Sequence, residues 1–496
     1  MGSVSQVKSL DQLGLTAIGG KKAKVTGLAV DSRDVKKGFL FAALPGSKVH
    51  GGEFITYALR MGASAILTDT EGAKIAEDEL AEADVALILA EDPRQTLAFA
   101  AALWFGAQPE TVVAVTGTNG KTSVASFTRQ IWEKMGFDAV NIGTTGVEGA
   151  YTAPLAHTTP EPITLHRVLA EADAHLVSHA AMEASSHGLE QRRLDGVRLA
   201  AAGFSNFSQD HLDYHDSFAE YFNAKAGLFA RVLPEDGVAV INIDDDRGLE
   251  MAAIARDRGQ DVLTVGRTDG ADLHILARSF SPTGQVLRFD WRGRVAQAEL
   301  QLIGGFQAEN VLLAAGLAIG AGADAEQVFA TLSSMRTVRG RMELAARRFN
   351  GASVFVDYSH TPDAVATALR ALRPHVMGRI ICVVGAGGDR DATKRPLMGM
   401  AAAEHADQVI VTDDNPRSED PAIIRAAVLE GCPEATEVGD RAEAILRGVD
   451  ALAAGDALLI AGKGHETGQI VGDDVFPFDD AEQASVAVSA LDGGAL

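Results

Sequence analysis

The chain has 496 residues, a formal net charge of −23 and a composition that is 47% hydrophobic. These values are typical of a soluble globular protein with about three domains. The negative charge argues against a nucleic acid or an anionic membrane surface as partner. Only two cysteines are present, which excludes a disulfide framework and favours a reducing cytoplasm. The N-terminal stretch lacks the apolar core of a signal peptide, and no apolar run is long enough to span a membrane.

A strand, a glycine loop and a helix follow one another between Thr111 and Met135. An apolar, β-branched run predicts the strand, and a helical pattern begins at Lys121 and stops at Gly136. The loop amides and the helix N-terminus would face an anion, while Lys121 adds charge and Thr122 offers a hydroxyl to Mg²⁺. Val115 stands at the first glycine of the usual phosphate-loop spacing, and Gly-Lys-Thr alone could be an ordinary loop. The flanking elements favour binding of ATP or a close relative.

We expect three α/β domains, with limits at residues 1–105, 106–338 and 339–496. The first alternates short strands and helices, and its polar stretches Asp31–Arg33 and 46–52 are typical of surface turns. The second is a central, P-loop-type ATP-binding domain. The third is a Rossmann-like C-terminal domain, and both have mainly parallel sheets.

Two ionisable residues of the central domain stand out. Glu183 ends a strand predicted from Leu176, where it could hold Mg²⁺ or be a solvated terminus. Lys225 lies near the apolar face of a helix predicted from Ser217 to Phe229. By residue type alone its amine is expected to reach water, although a lysine in a dry site can become chemically modifiable.

Four strands of the third domain end in polar residues, in the stretches 357–360, 385–395, 413–417 and 462–466. Four such ends at one edge of a doubly wound sheet favour a ligand site. An NAD-dependent oxidoreductase is weakly supported, because Arg390 occupies the third glycine position of the dinucleotide fingerprint. A nucleotide-driven switch without a small substrate is also disfavoured by the second set of polar strand ends.

A set of motifs along the whole chain resembles the Mur ligase family: TGTNGKT, MEASSHGL, FSQDHLDYH, YFNAKAGLF, GRME, VDYSHTPD, GGDRDATKRP, DDNPR and AGKGHE. DNPR and GKGHE resemble the tripeptide-forming branch. The resemblance implies that ATP phosphorylates the carboxylate of UDP-N-acetylmuramoyl-L-alanyl-D-glutamate, and that the amine of meso-diaminopimelate then attacks the acyl phosphate. This is a step of cytoplasmic peptidoglycan precursor synthesis, carried out with ATP and Mg²⁺ by an enzyme expected to be a monomer. Addition of L-lysine and a folylpolyglutamate-synthase-like reaction are the alternatives.

The same resemblance implies roles for individual residues. The positions matching the family's ATP site are Gly117, Thr118, Asn119, Gly120, Lys121, Thr122, Ser123, Asn310, Arg341 and Asp357. The positions matching the metal site are Thr122, Glu183, His211 and Lys225, the last as a carbamylated lysine, and Lys121, Lys225, Glu183 and His211 are the expected catalytic residues. The positions matching the UDP-substrate site are Val30, Ser32, Ser47, Lys48, Val49, Thr158, Thr159, Ser185, Gln191 and Arg193. The positions matching the amino-acid site are Arg390, Asp414, Asn415, Pro416, Arg417, Gly462 and Glu466.

The choice of incoming amino acid depends on charge. The distal end of meso-diaminopimelate carries a carboxylate and an ammonium, whereas lysine carries only an ammonium. A guanidinium is therefore needed for the carboxylate and an acceptor for the ammonium. Arg417 supplies the first and Glu466 the second, and Arg390 can hold another carboxylate. The sequence therefore predicts diaminopimelate rather than lysine.

Overall fold

The computed structural model describes residues 6–46, 49–208 and 217–493. The positions Ser47, Lys48 and His211, for which ligand contacts are expected, lie outside these residues. The chain forms two compact units, one of Met1–Val265 with Leu313–Val328 and the other of Gly266–Leu312 with Phe329–Leu496. The three domain limits expected from the sequence stay a prediction.

The N-terminal part of the first unit contains a parallel four-stranded sheet in the order β3-β4-β5-β6 and a short antiparallel pair, β1-β2. Its elements are β1 (Lys8–Ser9), β2 (Lys24–Val25), β3 (Gly27–Ala29), β4 (Phe39–Ala42), α1 (Ile55–Arg60), β5 (Ala65–Thr68), α2 (Thr70–Ile75), α3 (Glu77–Glu82), β6 (Ala86–Leu89) and α4 (Pro93–Phe105). Helix α4 begins where the Asp92 side chain accepts from the Gln95 N–H, and it ends at Gly106 in the left-handed conformation.

The remainder of the first unit is built on a larger sheet in the order β13-β12-β11-β7-β10-β8-β9. All its neighbours are parallel except β9. Its elements are β7 (Thr111–Thr116), α5 (Lys121–Lys134), β8 (Ala139–Gly143), β9 (Gly146–Gly149), α6 (Pro162–Ala174), β10 (His179–Glu183), α7 (Ser186–Glu190), β11 (Ala201–Phe204), α8 (Phe218–Gly227), β12 (Val238–Asn242), α9 (Gly248–Asp257) and β13 (Asp261–Gly266). The phosphate-loop strand β7 is central, and its neighbours β10 and β11 bring their carboxyl ends beside the loop.

Two boundaries differ from those expected. Strand β10 begins at His179 rather than Leu176, because Leu176 lies in a turn with φ 64° and its side chain is exposed. Helix α8 ends at Gly227 instead of Phe229, because the chain continues as one π-helical turn over Leu228–Val232. Both expected limits were placed at apolar residues. Here apolar residues also occur outside the regular strand and helix.

The second unit contains a parallel sheet in the order β17-β18-β22-β19-β20-β21, antiparallel only at β17. It also contains the antiparallel sheet β14-β15-β16 and the hairpin β23-β24. The elements from residue 273 onward are β14 (Leu273–Ser281), β15 (Gly284–Trp291), β16 (Arg294–Leu300), α10 (Phe306–Gly320), α11 (Ala325–Thr331), β17 (Glu343–Arg347), β18 (Ser353–Asp357), α12 (Pro362–Leu372), β19 (Ile380–Val384), α13 (Lys394–His405), β20 (Gln408–Val411), α14 (Pro421–Leu429), β21 (Thr436–Glu437), α15 (Arg441–Asp450), β22 (Ala457–Ala461), β23 (Gly468–Val471), β24 (Asp474–Pro477) and α16 (Asp480–Leu491). Of these, the parts of α10 and α11 within Leu313–Val328 belong to the first unit.

Alternate residues of the same strands of this parallel sheet pack into two different cores. Phe355 and Leu459 belong to one core, while Val354 and Leu458 belong to the other. A sheet buried on both faces is what the uninterrupted apolar strands predict. The mixed α/β architecture with mainly parallel sheets is therefore confirmed. Among the helices of the described residues, none has the length and apolar character needed to cross a membrane.

Candidate active site

The loop after β7 is fitted tightly against the loop after β11. Gly117 has φ 147°, and a Cβ there would overlap Ser205 Oγ. Gly120 has φ 85° and directly precedes α5. The backbone of Asn119 is held from both sides, because its N–H donates to Asn206 Oδ1 at 2.9 Å and its carbonyl accepts from Ser205 Oγ at 2.6 Å. The glycines are therefore needed for the loop's shape.

Lys121 curls back over this loop. Its Nζ donates to the carbonyls of Gly117 and Thr118, each at 2.9 Å. Thr122 and Ser123 continue the first turn of α5 and are buried. The predicted ATP-loop residues therefore lie together, with a cation and a helix N-terminus at the same place, as an anion site requires.

Glu183, the last residue of β10, is only 2% exposed, so it is not a solvated strand end. Its Oε2 accepts from Thr122 Oγ1 at 3.0 Å, and its Oε1 accepts from the Thr144 N–H at 2.8 Å. A Cβ at Gly143 would overlap Oε1. Thr144 and Gly143 were not expected from the sequence. The sequence feature that could have indicated them is their position at the end of β8, the strand that pairs with β10.

Thr159 connects Glu183 to the residues expected to contact the peptide substrate. Its Oγ1 donates to the Glu183 carbonyl at 2.9 Å and accepts from the Ser185 N–H at 3.0 Å. Its own carbonyl accepts from Arg193 Nη1 at 2.6 Å, and Arg193 Nη2 donates to Gln191 Oε1 at 2.7 Å. These four expected residues therefore form one hydrogen-bonded group beside the carboxylate.

Thr158 joins the same group from another direction. Its Oγ1 lies 3.0 Å from Thr144 Oγ1, and Thr144 also contacts Glu183. The five central-domain positions expected to bind the UDP-linked peptide thus converge on the end of β10.

The N-terminal positions are arranged differently. Val30 and Val49 have exposed side chains, and Ser32 begins a short helical turn capped by Asp31. A hydrogen bond from Arg33 lowers the pKa of Asp31 to about 2. The hydrogen bonds given above for the Thr159 group do not involve Val30, Ser32 or Val49.

Lys225 lies inside the protein. Its side chain is 1% exposed, its Nζ donates to the Gly117 carbonyl at 2.8 Å, and it lies 4.4 Å from the centroid of the Tyr221 ring. The expectation of a water-exposed amine is therefore wrong. The helix carries the amine into the phosphate loop because Tyr221 and Phe222 bury the same face.

Several buried hydroxyls at this edge have no hydrogen-bond partner among the described residues: Thr116 Oγ1, Thr145 Oγ1, Ser186 Oγ and Ser208 Oγ. Thr116 is the last residue of β7, and the other three follow the carboxyl ends of β8, β10 and β11. Buried polar groups are normally paired, so these hydroxyls are available to a polar ligand or to water. No group of three or more His, Cys, Asp or Glu side chains in the described part of the chain is arranged to hold a metal ion.

The second unit brings Arg341 and Asp357 together near Tyr358. The Arg341 guanidinium lies 4.8 Å from the Tyr358 ring centroid. Asp357 Oδ2 accepts from the Met342 N–H at 2.8 Å. Burial raises the pKa of Asp357, against the lowering effect of Ser359 and Arg341. Asn310 is buried, and its Nδ2 donates to Gln307 Oε1 at 3.1 Å.

The loops after β20 and β22 are joined through Asn415. Its Nδ2 donates to Glu466 Oε2 at 2.8 Å, and its Oδ1 accepts from Lys463 Nζ at 2.8 Å. Gly462 has φ 119°, and a Cβ there would lie 2.5 Å from Asp414 Oδ2. Lys463 is fully buried. It lies in the stretch 462–466 that the sequence predicts at a ligand site, but no specific binding role was expected for it.

Arg417 has an unusual backbone. Its φ is 53°, its N–H donates to the Ile470 carbonyl at 3.0 Å, and its Nη1 donates to the Gly388 carbonyl at 2.8 Å. A left-handed non-glycine residue is an outlier that often marks a functional position. Pro416 is buried and a Cβ at Gly388 would overlap its carbonyl, whereas Arg390 is exposed. The loop after β19, which contains Gly388, therefore packs directly on the DNPR loop after β20.

Comparison with known proteins identifies the family of the chain. Three family models match the chain: the Mur ligase middle domain at residues 115–318, the Mur ligase, glutamate ligase domain at 340–464, and the Mur ligase family, catalytic domain at 24–104. A UDP-N-acetylmuramoyl-L-alanyl-D-glutamate–2,6-diaminopimelate ligase of Bradyrhizobium diazoefficiens is 52% identical over 473 residues, which cover 94% of this chain and 95% of the relative.

Solved structures give the same result. A UDP-N-acetylmuramoyl-L-alanyl-D-glutamate–2,6-diaminopimelate ligase has 32% identity and a TM-score of 0.74, covering 98% of this chain and 99% of its own. A MurF ligase of Thermotoga maritima in complex with ADP shares the fold, with 18% identity, a TM-score of 0.56 and coverage of 92% and 95%. The chain therefore belongs to the Mur ligase family.

Proposed function

We propose that this protein is an ATP-dependent amide ligase that joins meso-diaminopimelate to UDP-N-acetylmuramoyl-L-alanyl-D-glutamate in peptidoglycan precursor synthesis. The observation that carries the proposal is the position of Glu183. One of its carboxylate oxygens contacts Thr122 of the phosphate loop, and its backbone carbonyl contacts Thr159 of the peptide-substrate group. ATP and the acceptor carboxylate would thus meet at one residue.

The residues can support phosphoryl transfer followed by amide formation. A carboxylate oxygen of the D-glutamyl residue attacks the γ-phosphorus of ATP, the bond to ADP breaks, and an acyl phosphate forms. The neutral amine of diaminopimelate then attacks the acyl carbon, the amine proton leaves to solvent, and inorganic phosphate is released. Lys121 and the N-terminus of α5 would stabilise the charge on the transferred phosphoryl group.

The chemistry of the donors fits Mg²⁺, which prefers oxygen ligands. Thr122 and Glu183 place a hydroxyl and a carboxylate 3.0 Å apart, and we propose that they hold Mg²⁺ together with His211. When bound, Mg²⁺ would neutralise phosphate charge. Glu183 is kept in place by Thr144, so its carboxylate is oriented before any ligand arrives.

We propose that Lys225 is carbamylated. The ammonium would first lose one proton to solvent; the neutral amine would then attack CO₂, form an N–C bond and lose a second proton, which converts a buried cation into an anion. An ammonium next to Mg²⁺ would repel the metal, whereas a carbamate would attract it. The burial of Nζ against the Gly117 carbonyl supports this proposal, because it places the nitrogen on the phosphate loop.

Diaminopimelate would be held by the loops at the carboxyl edge of the second unit's parallel sheet. Arg417, with Arg390, would receive the distal carboxylate and Glu466 the distal ammonium. Both hydrogen bonds that Glu466 accepts go to Oε2, which leaves Oε1 without a donor among the described residues. A lysine substrate would leave the Arg417 guanidinium without a carboxylate partner.

The organisation around this reaction is also a proposal. We propose domains at 1–105, 106–338 and 339–496, in a monomeric protein of the cytoplasm. The N-terminal domain would take the UDP moiety near Val30, Ser32 and the loop 47–49. Cys382 and Cys432 are both free thiols, which is consistent with a reducing compartment.

The test is an ATP-turnover assay in which each substrate is omitted in turn. Phosphate release is expected only when the UDP-linked dipeptide and diaminopimelate are both present, and Lys121→Ala should abolish it. Steady hydrolysis of ATP without an acceptor would instead support a nucleotide-driven switch.

A further inference from the structure

Arg441, the first residue of α15, is a fully buried cation outside the expected site residues. Its guanidinium pairs with Asp480 through two bonds of 2.7 Å, and both side chains have no exposed surface. Burying such a pair is costly, and well-packed apolar residues often stabilise a fold equally well. The pair therefore calls for an explanation beyond stability.

The remaining donors of Arg441 reach the bases of two loops. Nη2 donates to the carbonyl of Ala461, the last residue of β22, at 3.0 Å. Nη1 donates to the carbonyl of Asp413, just after β20, at 3.3 Å. These loops carry all the residues proposed to bind diaminopimelate except Arg390.

Strands β20 and β22 do not pair with each other, because β19 lies between them. Two strand spacings amount to roughly 10 Å. No ladder hydrogen bond joins β20 directly to β22, and the sheet relates their ends only through β19. The Arg441 guanidinium adds a direct connection, because it contacts both strand ends.

Lys463 makes a second connection between the same loops. Its Nζ donates to Asn415 Oδ1 at 2.8 Å and to Glu466 Oε2 at 3.3 Å, and it lies 3.9 Å from Asp414 Oδ1. Burial opposes the charge of Arg441, but Asp480, Asp414 and Glu466 together raise the pKa of its guanidinium. Arg441 therefore remains charged beneath the two loops.

We infer that Arg441, assisted by Lys463, is a positioning residue that sets the distance between the Arg417 loop and the Glu466 loop, and thereby the selectivity for an amino acid with a zwitterionic distal end. The inference rests on the proposed function. A shift of the Arg417 loop relative to the Glu466 loop weakens simultaneous binding of the distal carboxylate and the distal ammonium of diaminopimelate. Binding of its reacting amine and of ATP is affected less.

The test compares two variants with a matched control. Arg441→Lys keeps the charge but cannot make all four bonds, and Arg441→Met/Asp480→Leu replaces the pair with apolar side chains. The control is Arg348→Met/Asp492→Leu, because this pair is also largely buried, contacts the far end of α16 and donates to a carbonyl, Val449. Each protein is assayed for the KM of diaminopimelate and ATP, for kcat, for the diaminopimelate-to-lysine selectivity and for Tm.

Both Arg441 variants should raise the KM for diaminopimelate about tenfold, which corresponds to about 1.4 kcal/mol of weakened contact, and should lower the selectivity over lysine. The KM for ATP should stay near its original value, and the control should change Tm only. An unchanged KM for diaminopimelate in a folded variant, or an equal rise in the control, would overturn the inference. So would failure of both Arg441 variants to fold, because the pair would then be needed for stability. A wild-type protein that does not use diaminopimelate as a substrate would instead contradict the proposed function.

Discussion

Gly143→Ala is a sharp test of how Glu183 is positioned, because the change adds one methyl group directly against its carboxylate. The new Cβ would overlap Oε1 and lie 2.6 Å from Cδ, compared with an ordinary contact of 3.4 Å. Cδ must therefore retreat by about 0.8 Å, and Oε1 must move farther. Its hydrogen bond from the Thr144 N–H, now 2.8 Å, would be broken or weakened.

A displacement of this size at a catalytic group reduces the rate by about a hundredfold. Overpacking should also lower stability by about 1–3 kcal/mol. We expect kcat to fall about a hundredfold while the KM for diaminopimelate changes little, because that amino acid is proposed to bind elsewhere. The assay is steady-state phosphate release at saturating UDP-linked dipeptide, with circular dichroism to confirm folding.

The matched control is Gly227→Ala in α8. A Cβ there has ordinary contacts, the nearest being Arg231 Nη2 at 3.5 Å, and alanine suits a helix better than glycine. This variant should retain its activity. A folded Gly143→Ala protein with wild-type kcat would refute the reasoning that the position of Glu183 controls catalysis.

Three further predictions concern other groups. Lys225→Ala should lower kcat at least about a hundredfold, and a short carboxylic acid should partly restore it; full activity of the variant at low CO₂ would contradict the carbamate. Arg417→Lys should raise the KM for diaminopimelate about tenfold or more, with the KM for ATP unchanged, because lysine cannot bind a carboxylate through two parallel bonds; efficient use of L-lysine by the wild type would show that Arg417 is not the discriminating residue. Burial lowers the pKa of His166 to about 4 from 6.5, so its contribution to stability is complete above pH 6.5 and is lost as the pH falls towards 4. His166→Gln should reduce the acid-induced loss of unfolding free energy over that interval by about 3 kcal/mol, and an unchanged pH dependence in urea titrations would refute this.

Much of the fold follows from local patterns in the sequence. The apolar run before Gly117 and the helix starting at Lys121 predicted β7 and α5, and the four polar strand ends of the third domain meet at one edge because β18, β22, β19 and β20 are parallel neighbours. The predicted limits of strands and helices were wrong where packing against the rest of the fold, rather than the local sequence, determines where an element begins or ends. Leu176 is apolar but lies in an exposed left-handed turn, which no periodicity could predict.

The supporting residues of the site could not be found in the same way. Gly143 and Thr144 act on Glu183 only because β8 pairs with β10, and Arg441 contacts two loops that are separated along the chain. Sequence spacing carries no information on such contacts until the strand order is known. The buried position of Lys225 likewise depends on how α8 packs, since an amphipathic pattern alone allows its amine to reach water.

We propose that the protein activates a carboxylate by phosphorylation. The direct measurement uses a UDP-linked dipeptide whose D-glutamyl side-chain carboxylate carries ¹⁸O on both oxygens. After turnover with ATP and meso-diaminopimelate, mass spectrometry should find one ¹⁸O in the released phosphate and the other in the new amide, because the acyl C–O bond breaks when the amine attacks. Phosphate without ¹⁸O, released in step with product, would contradict an acyl-phosphate route and the function proposed here.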